Sequence, residues 1–400
     1  MIAYIAYPTS LTLQSANALQ TYTTLRELRA RRPDTLAILP RWGREPSRFT
    51  EVGALHLPRP AIGKLSRFYR STLLYYLEHS AFAFMSAAVL AKRPVEAIYV
   101  RQVVCAAWWA GVLGPRMGVP VIYEAHDLEA RNPSRAKESW APGLLHLMDR
   151  VALTRSTLVA SLTDDFRRYL VGIGWRSADE IVVIPDAYDE QLFAPQDRRA
   201  AREALGLDQT AELVVYAGMT FAHRWLEGLL AALARLRTSH PNLQAVLVGG
   251  RPAEIAALRE QANTLGLTIS APGQPQSAHL HFIGPRPQAE IVRYLAAADA
   301  LAIPDTVTDV TASPLKLFEY LALGQPLVLP NIPALREIVP SELGSYFPRR
   351  DLDGLCAALA HALADHDNRH RAEARRAVAR DHTYGRRAER IIEAVQLVRR

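Results

Sequence analysis

Cysteine is scarce: two residues in 400, Cys105 and Cys356, one in each half. Such a pair builds no disulfide framework and supplies no zinc-ligand spacing, and a reducing compartment fits it best. The apolar part of the segment Gly63 to Arg93 is interrupted by Glu78 and His79, so it makes a poor membrane span. The first residues, MIAYIAYPTS, carry no basic stretch and turn polar quickly, unlike a signal peptide, and read better as a β-strand. There is no Lys/Arg tract interleaved with aromatics, which speaks against nucleic acid as a partner. Gly-x-Gly-x-x-Gly, Walker and serine-elbow motifs are missing, as are solenoid repeats and low-complexity tracts.

What is present is a balance of 49% hydrophobic and 22% charged residues, that of an ordinary soluble globular chain. A chain of 400 residues exceeds one ordinary core and favours two domains. The net charge of +7 suits a nucleic acid, an anionic membrane or a phosphorylated substrate and chooses none of them.

Short apolar runs alternate with helical stretches. IAYIA, TLAIL, AIYV, PVIYE, TLVAS and IVVIP fall before Pro195; LVVYAG, AVLVGG, HLHFIG, ALAIP and PLVLP follow it. Runs that are apolar on both faces read as strands buried in parallel sheets. The fold expected is α/β, two doubly wound Rossmann-like domains, with ligands beyond the carboxyl ends of the strands and in the cleft between the domains. The break falls near PDAYDEQLFAPQDRRAAREALGL, giving domains 1–190 and 191–382 and a last helix over 383–400. In 63–93, basic Lys64, Arg67 and Arg70 beside Phe68, Tyr69, Tyr75 and Tyr76 would suit a helix at a membrane surface, but core helices of an α/β domain are favoured.

The stretch Ser313 to Val339, SPLKLFEYLALGQPLVLPNIPALREIV, is the most informative. Ser313 suits an N-cap, Pro314 a first turn and Gly324 the position past the end, so a helix is expected over 314–323. Its first turn offers free N–H groups and a positive dipole end, to which Lys316 adds a full charge: a diphosphate would fit. One turn on, Glu319 could accept two hydroxyls of a ribose. The alternative is an i,i+3 ion pair on a solvated face, worth a few tenths of a kcal/mol, and the residues alone leave both open.

This stretch resembles the donor-site signature of the retaining nucleotide-sugar glycosyltransferases of the GT-B fold, the large family-4 type. The resemblance extends through VIYEAHDLE, IVVIPDAYDEQLFAP, LVVYAGMTFAHRWLEGLL, HFIGPRPQAEIVRYLAAADALAIP and HTYGRRAERIIEAV, the last a helix that in this fold crosses back to the N-terminal domain. It implies transfer of a sugar from a nucleotide donor to a saccharide, lipid-linked or small-molecule acceptor, with no bound metal or other cofactor. By resemblance, Lys316, Arg224 and the backbone from Ser313 through Pro314 and Leu315 to Leu317 hold the diphosphate, and Glu319 holds the ribose. Gly218 belongs to the donor site, and His126 lies near the reacting sugar. The family's other glutamate falls on Thr311, a departure that puts the sugar in doubt; Asp309 is a weak substitute. No protein nucleophile is nominated.

Each assignment has a plain counterpart. Arg224 could be a surface arginine at a helix start, where a cation meets the positive dipole end. His126 could follow a strand end capped by Asp127. DLD (Asp351–Asp353), TDD (Thr163–Asp165) and HLH (His279–His281) read poorly as metal ligands. A GT-B epimerase, or a silent binder of sugar nucleotides, are the competing functions. A cytoplasmic location, with peripheral membrane contact through 63–93 as a further option, follows from absent targeting signals and donor supply.

Overall fold

The computed structural model describes residues 1–399 except 9, 14, 44–46, 60–71, 132–141, 271–277 and 307–313. The chain divides into two compact units, Met1–Asp186 with Tyr384–Arg400, and Ala187–Thr383.

The first unit holds a sheet of β1 (Ile2–Ile5), β2 (Leu36–Pro40), β3 (Ala54–Leu57), β4 (Ala97–Val100), β5 (Val121–Ala125), β6 (Leu158–Ser161) and β7 (Ile181–Val183). The order is β3-β2-β1-β4-β5-β6-β7, parallel throughout. The second holds β8 (Glu212–Ala217), β9 (Leu243–Val248), β10 (Leu280–Gly284), β11 (Ala300–Ala302), β12 (Leu327–Pro330) and β13 (Gly344–Phe347) in the order β10-β9-β8-β11-β12-β13, again parallel. Both sheets reverse their winding in the middle, at β1/β4 and at β8/β11. Crevices open at such switch points, beyond the carboxyl ends of the strands.

Every apolar run picked out in the sequence is a strand. β8 shows why: Leu213, Val215 and Ala217 enter one core layer while Val214 and Tyr216 enter the other. A strand covered on both faces must be apolar at every position. The two strands not expected, β3 and β13, are edges. Their residues ALHL and GSYF are only partly buried, so the continuous apolar signal is missing.

The helix Tyr384–Leu397 belongs to the first unit. Ala388, Ile391, Ala394 and Val395, at helical spacing, pack with Leu25 and Leu28 of the helix Ala16–Arg31 and with the sheet residues Ile2 and Tyr4. Each large side chain so buried contributes roughly 1.5–3 kcal/mol. The helix Thr72–Leu90 buries Phe82 and Leu90, in line with a core helix, and leaves Leu77 and Phe84 exposed. The basic residues Lys64, Arg67 and Arg70 lie outside the described residues. Among those described, no helix is long and apolar enough to cross a membrane.

Candidate functional site

In the second unit the informative helix runs Leu315–Leu323. Its N-cap is Pro314, whose φ of −74° and ψ of 123° are extended, so the start lies one residue later than the sequence suggests. Proline cannot cap with its side chain, but its carbonyl accepts the Leu317 N–H at 2.8 Å. Gly324 ends the helix with φ 85°, and its N–H reaches the carbonyls of Tyr320 and Leu321. Leu317, Phe318, Tyr320 and Leu321 are fully buried. That fixes which way Lys316 and Glu319 turn.

The two do not pair with each other. Lys316 lays its ammonium over the Tyr216 ring, 4.0 Å from the centroid, and Glu319 accepts a hydrogen bond from the Gln288 amide at 3.3 Å. The solvated ion pair is therefore not what forms. Desolvation, reinforced by Arg224 and only partly offset by Glu319, pushes the Lys316 ammonium well below its ordinary pKa. Desolvation pushes Glu319 up to about 7 against the pull of Lys316 and Gln288. It also raises Tyr216, to about 12.

The end of β8 explains how a lysine fits there. At Gly218, φ is 143°, and a Cβ would lie 2.6 Å from the Lys316 Nζ. A Cβ on Gly249 would meet the Gly218 carbonyl oxygen at 2.4 Å. Only glycines allow this approach of backbone to backbone and to the cation. The Ala217 N–H donates to the Tyr320 hydroxyl at 3.0 Å, which ties the strand end to the helix.

Next in the chain, a single turn, Ala222–Arg224, leads to Trp225 in left-handed conformation, φ 51°, and to the helix Leu226–Leu236. Among the described residues His223 Nε2, Arg224 Nε and Glu227 Oε2 are buried polar atoms with no hydrogen-bond partner. Such atoms are costly when nothing binds them. Burial and then Arg224 lower the pKa of His223, which also senses Asp305, Lys316 and Arg350. Asp305, just past β11, is fully buried between Arg349 Nε at 2.5 Å and Arg350 Nε at 2.9 Å. Arg350 is left-handed, with φ 59°. The carboxyl ends of β8, β11 and β13 and the start of the helix Leu315–Leu323 thus gather Arg224, Lys316, Arg349 and Arg350 in one cationic basin. It lies at the switch point of the sheet.

The first unit carries His126, one residue past β5. Asp127 Oδ1 accepts the Leu128 N–H at 2.8 Å. His126 Nε2 lies 2.7 Å from Glu124 Oε1. Glu124 is completely buried and is met by Arg101 Nε at 2.8 Å, by Arg387 Nη2 at 2.6 Å and by the Tyr99 hydroxyl. Desolvation opposes its charge, but Arg101 and Arg387 outweigh that and hold its carboxyl well below the usual range.

Asp309, Thr311 and Ser313 lie outside the described residues; Pro314, Leu315, Lys316, Glu319, Gly218 and Arg224 share the basin of the second unit. Tyr216, His223, Asp305, Arg101, Glu124 and Arg387 were not singled out in the sequence. A signal existed for two: Glu124 closes the apolar run PVIYE and Arg101 directly follows AIYV, so each is a charge at a buried strand end. The acid and imidazole clusters are structural. Asp351 and Thr163 are N-caps, and His281 pairs with Gln244 at 3.2 Å. Among the described residues no three His, Cys, Asp or Glu side chains are grouped to hold a metal ion.

A family model described as glycosyl transferases group 1 matches residues 197–377, and one described as glycosyl transferase 4-like domain matches residues 18–187. The D-inositol 3-phosphate glycosyltransferase of Mycobacterium avium (strain 104) is 27% identical over 296 residues, 72% of this chain and 67% of that protein. Across the curated relatives it matches, the chain spans about half to two thirds of their length. Among solved structures, the sucrose-phosphate synthase of Thermosynechococcus elongatus superposes with a TM-score of 0.78 at 18% identity, covering 99% of this chain and 98% of that one. Anabaena HepE, solved in complex with UDP, gives 0.75 at 17% identity and 99% of both chains. At such identities the likeness is one of fold.

Proposed function

The chain belongs to the group 1 glycosyl transferases of GT-B fold and is a transferase enzyme, and we propose that it moves a sugar from a nucleotide-sugar donor to a hydroxyl acceptor with retention at the anomeric carbon. The observation that carries this reading is the basin around Lys316. It holds buried cations and orphaned polar atoms at the start of a helix, where a diphosphate would satisfy them. Arg224 and Lys316 oppose the charge that develops on the leaving diphosphate. Glu319, in its ionised form, accepts the two ribose hydroxyls, and His126 offers a hydrogen bond to a sugar hydroxyl.

In the step we assign, the bond from the anomeric carbon to the diphosphate oxygen breaks and a bond to the acceptor oxygen forms on the same face. The acceptor proton passes to a phosphate oxygen of the leaving group. No protein nucleophile and no metal ion take part. That HepE was solved with UDP favours a uridine donor as the first to try. Surface polysaccharide or glycolipid synthesis on the cytoplasmic side is the setting we assign, with the exposed Leu77 and Phe84 of the helix Thr72–Leu90 available for peripheral contact with a membrane.

The test is incubation with UDP-, GDP-, ADP- and dTDP-sugars, following nucleoside diphosphate release and product configuration by NMR. The reading expects one nucleotide class to be consumed and the α or β configuration of the donor to survive in the product. Inverted product removes the retaining step, and interconversion of two sugar nucleotides without an acceptor makes the protein an epimerase.

A further inference from the structure

His126 cannot satisfy both of its charged neighbours. Its Nε2 lies 2.7 Å from Glu124 Oε1 and 3.0 Å from Arg101 Nη2. If Nε2 is bare, it can accept from the guanidinium, but its lone pair then faces a carboxylate oxygen at 2.7 Å. If Nε2 carries the proton, it donates to Glu124, and Arg101 loses one of several acceptors. Arg101 has others: Nε donates to Glu124 at 2.8 Å, Nη1 to the Thr21 hydroxyl at 2.5 Å, and Nη2 to the Gln20 carbonyl oxygen. The second state leaves the smaller electrostatic conflict.

The surroundings make the same choice. Arg101, Glu124 and Arg387 are buried, and Asp186, which accepts from the Gln20 amide, is buried beside them. Two guanidinium groups and two acid side chains thus surround the imidazole. Arg387 is itself fixed by the carbonyls of Ile184 at 3.0 Å and Pro185 at 2.5 Å. The helix Tyr384–Leu397 therefore anchors the carboxylate from below, while His126 is about a third exposed, at 31%.

We propose that Glu124 is a positioning residue that locks His126 in the Nε2–H tautomer, so that Nδ1 is left as the hydrogen-bond acceptor for a substrate hydroxyl. A carboxylate behind an imidazole fixes tautomer and ring orientation together. The consequence for substrate rests on the glycosyltransferase reading, because a hydroxyl is what Nδ1 would meet there. The tautomer itself does not depend on that reading.

The experiment is 15N NMR of the histidine rings in the labelled, ligand-free full chain, with the His126 signals identified by their loss in His126→Gln. The expected spectrum has a pyrrole-type Nε2 and a pyridine-type Nδ1 at His126. The reverse pattern, with the proton on Nδ1, overturns the proposal. A second spectrum of Glu124→Gln isolates the role of the charge. Without it, Arg101 competes for Nε2, and a clear Nδ1–H population should emerge. A folded Glu124→Gln protein with an unchanged, single tautomer also overturns it. Should that variant fail to fold, the spectrum of the unaltered protein decides alone. A purely structural Glu124 would not move the tautomer, and loss of transferase activity from any other cause would leave the spectrum as expected.

Discussion

The two units present opposite electrostatic designs at the ends of their sheets. Around Glu124 in the first, opposite charges meet directly: two arginines, a tyrosine hydroxyl and a histidine surround one carboxylate, although among the described residues Arg387 Nε too is a buried atom without a hydrogen-bond partner. Around Lys316 in the second, the groups are mismatched. The lysine rests on an aromatic ring instead of an acid, Glu319 is pushed towards neutrality, and His223, Arg224 and Glu227 each hide an atom without a partner. A closed network stabilises a fold, whereas an open one carries a standing cost that a ligand can remove. On the reading proposed above, the second site is the one that an anion would complete.

The largest effect should come from opening the closed network. Glu124→Ala removes the carboxylate that Arg101 and Arg387 both meet and leaves Asp186 as the remaining buried acid beside two guanidinium groups, and equilibrium denaturation should show a loss of about 3–5 kcal/mol. The next test uses pH on the open site. Burial raises Glu319 from 4.5 to about 7. Between those values the native protein holds a proton that the unfolded chain releases, so unliganded stability falls as pH rises through this window. The penalty is absent below the lower value and complete above the upper one, on the order of 3 kcal/mol. Nucleotide affinity should move the other way, rising through the upper part of the window as the carboxylate forms. Glu319→Gln should flatten both profiles in melts and titrations run side by side.

Gly218→Ala sharpens the contrast sterically. The added methyl collides with Lys316 Nζ at a positive φ, so stability should fall by about 1–3 kcal/mol and nucleotide affinity should fall as well. Lys316→Met should have the smallest effect on stability and the opposite sign. Removing a desolvated, acid-free cation should leave the unliganded protein unchanged or up to about 1 kcal/mol more stable, while nucleotide binding weakens at least about tenfold. A large destabilisation by Lys316→Met would place it in a closed network after all.

Much of this was legible in the sequence because burial writes itself into composition. Strands covered on both faces must be apolar throughout, and β8 and β12 were plain for that reason, whereas the edge strands β3 and β13 bury too little to leave a run. Gly324 marked the end of its helix because only a left-handed cap fits there, but the start was displaced by one residue, since the preference of proline for the first turn gave no sign that Pro314 would sit at the cap. Lys316 and Glu319 were visible as a spacing on one helix. The Glu124 cluster was not, because its members come from β4, β5, the residues just past them and the last helix, with Glu124 and Arg387 far apart in the chain, and no local pattern links them. Tyr216 and Gly218 take their meaning from the approach of Lys316, which is a fact of packing.

The central claim is that the helix Leu315–Leu323 holds the diphosphate and ribose of a sugar nucleotide. Calorimetric titration of UDP-, GDP-, ADP- and dTDP-sugars into the unaltered protein and into Glu319→Ala tests it most directly. The account predicts that one nucleotide class binds and that Glu319→Ala weakens it by about 1–3 kcal/mol, the scale of lost hydrogen bonds to a charged group. Equal binding by a folded Glu319→Ala protein, or no binding by either, would contradict it.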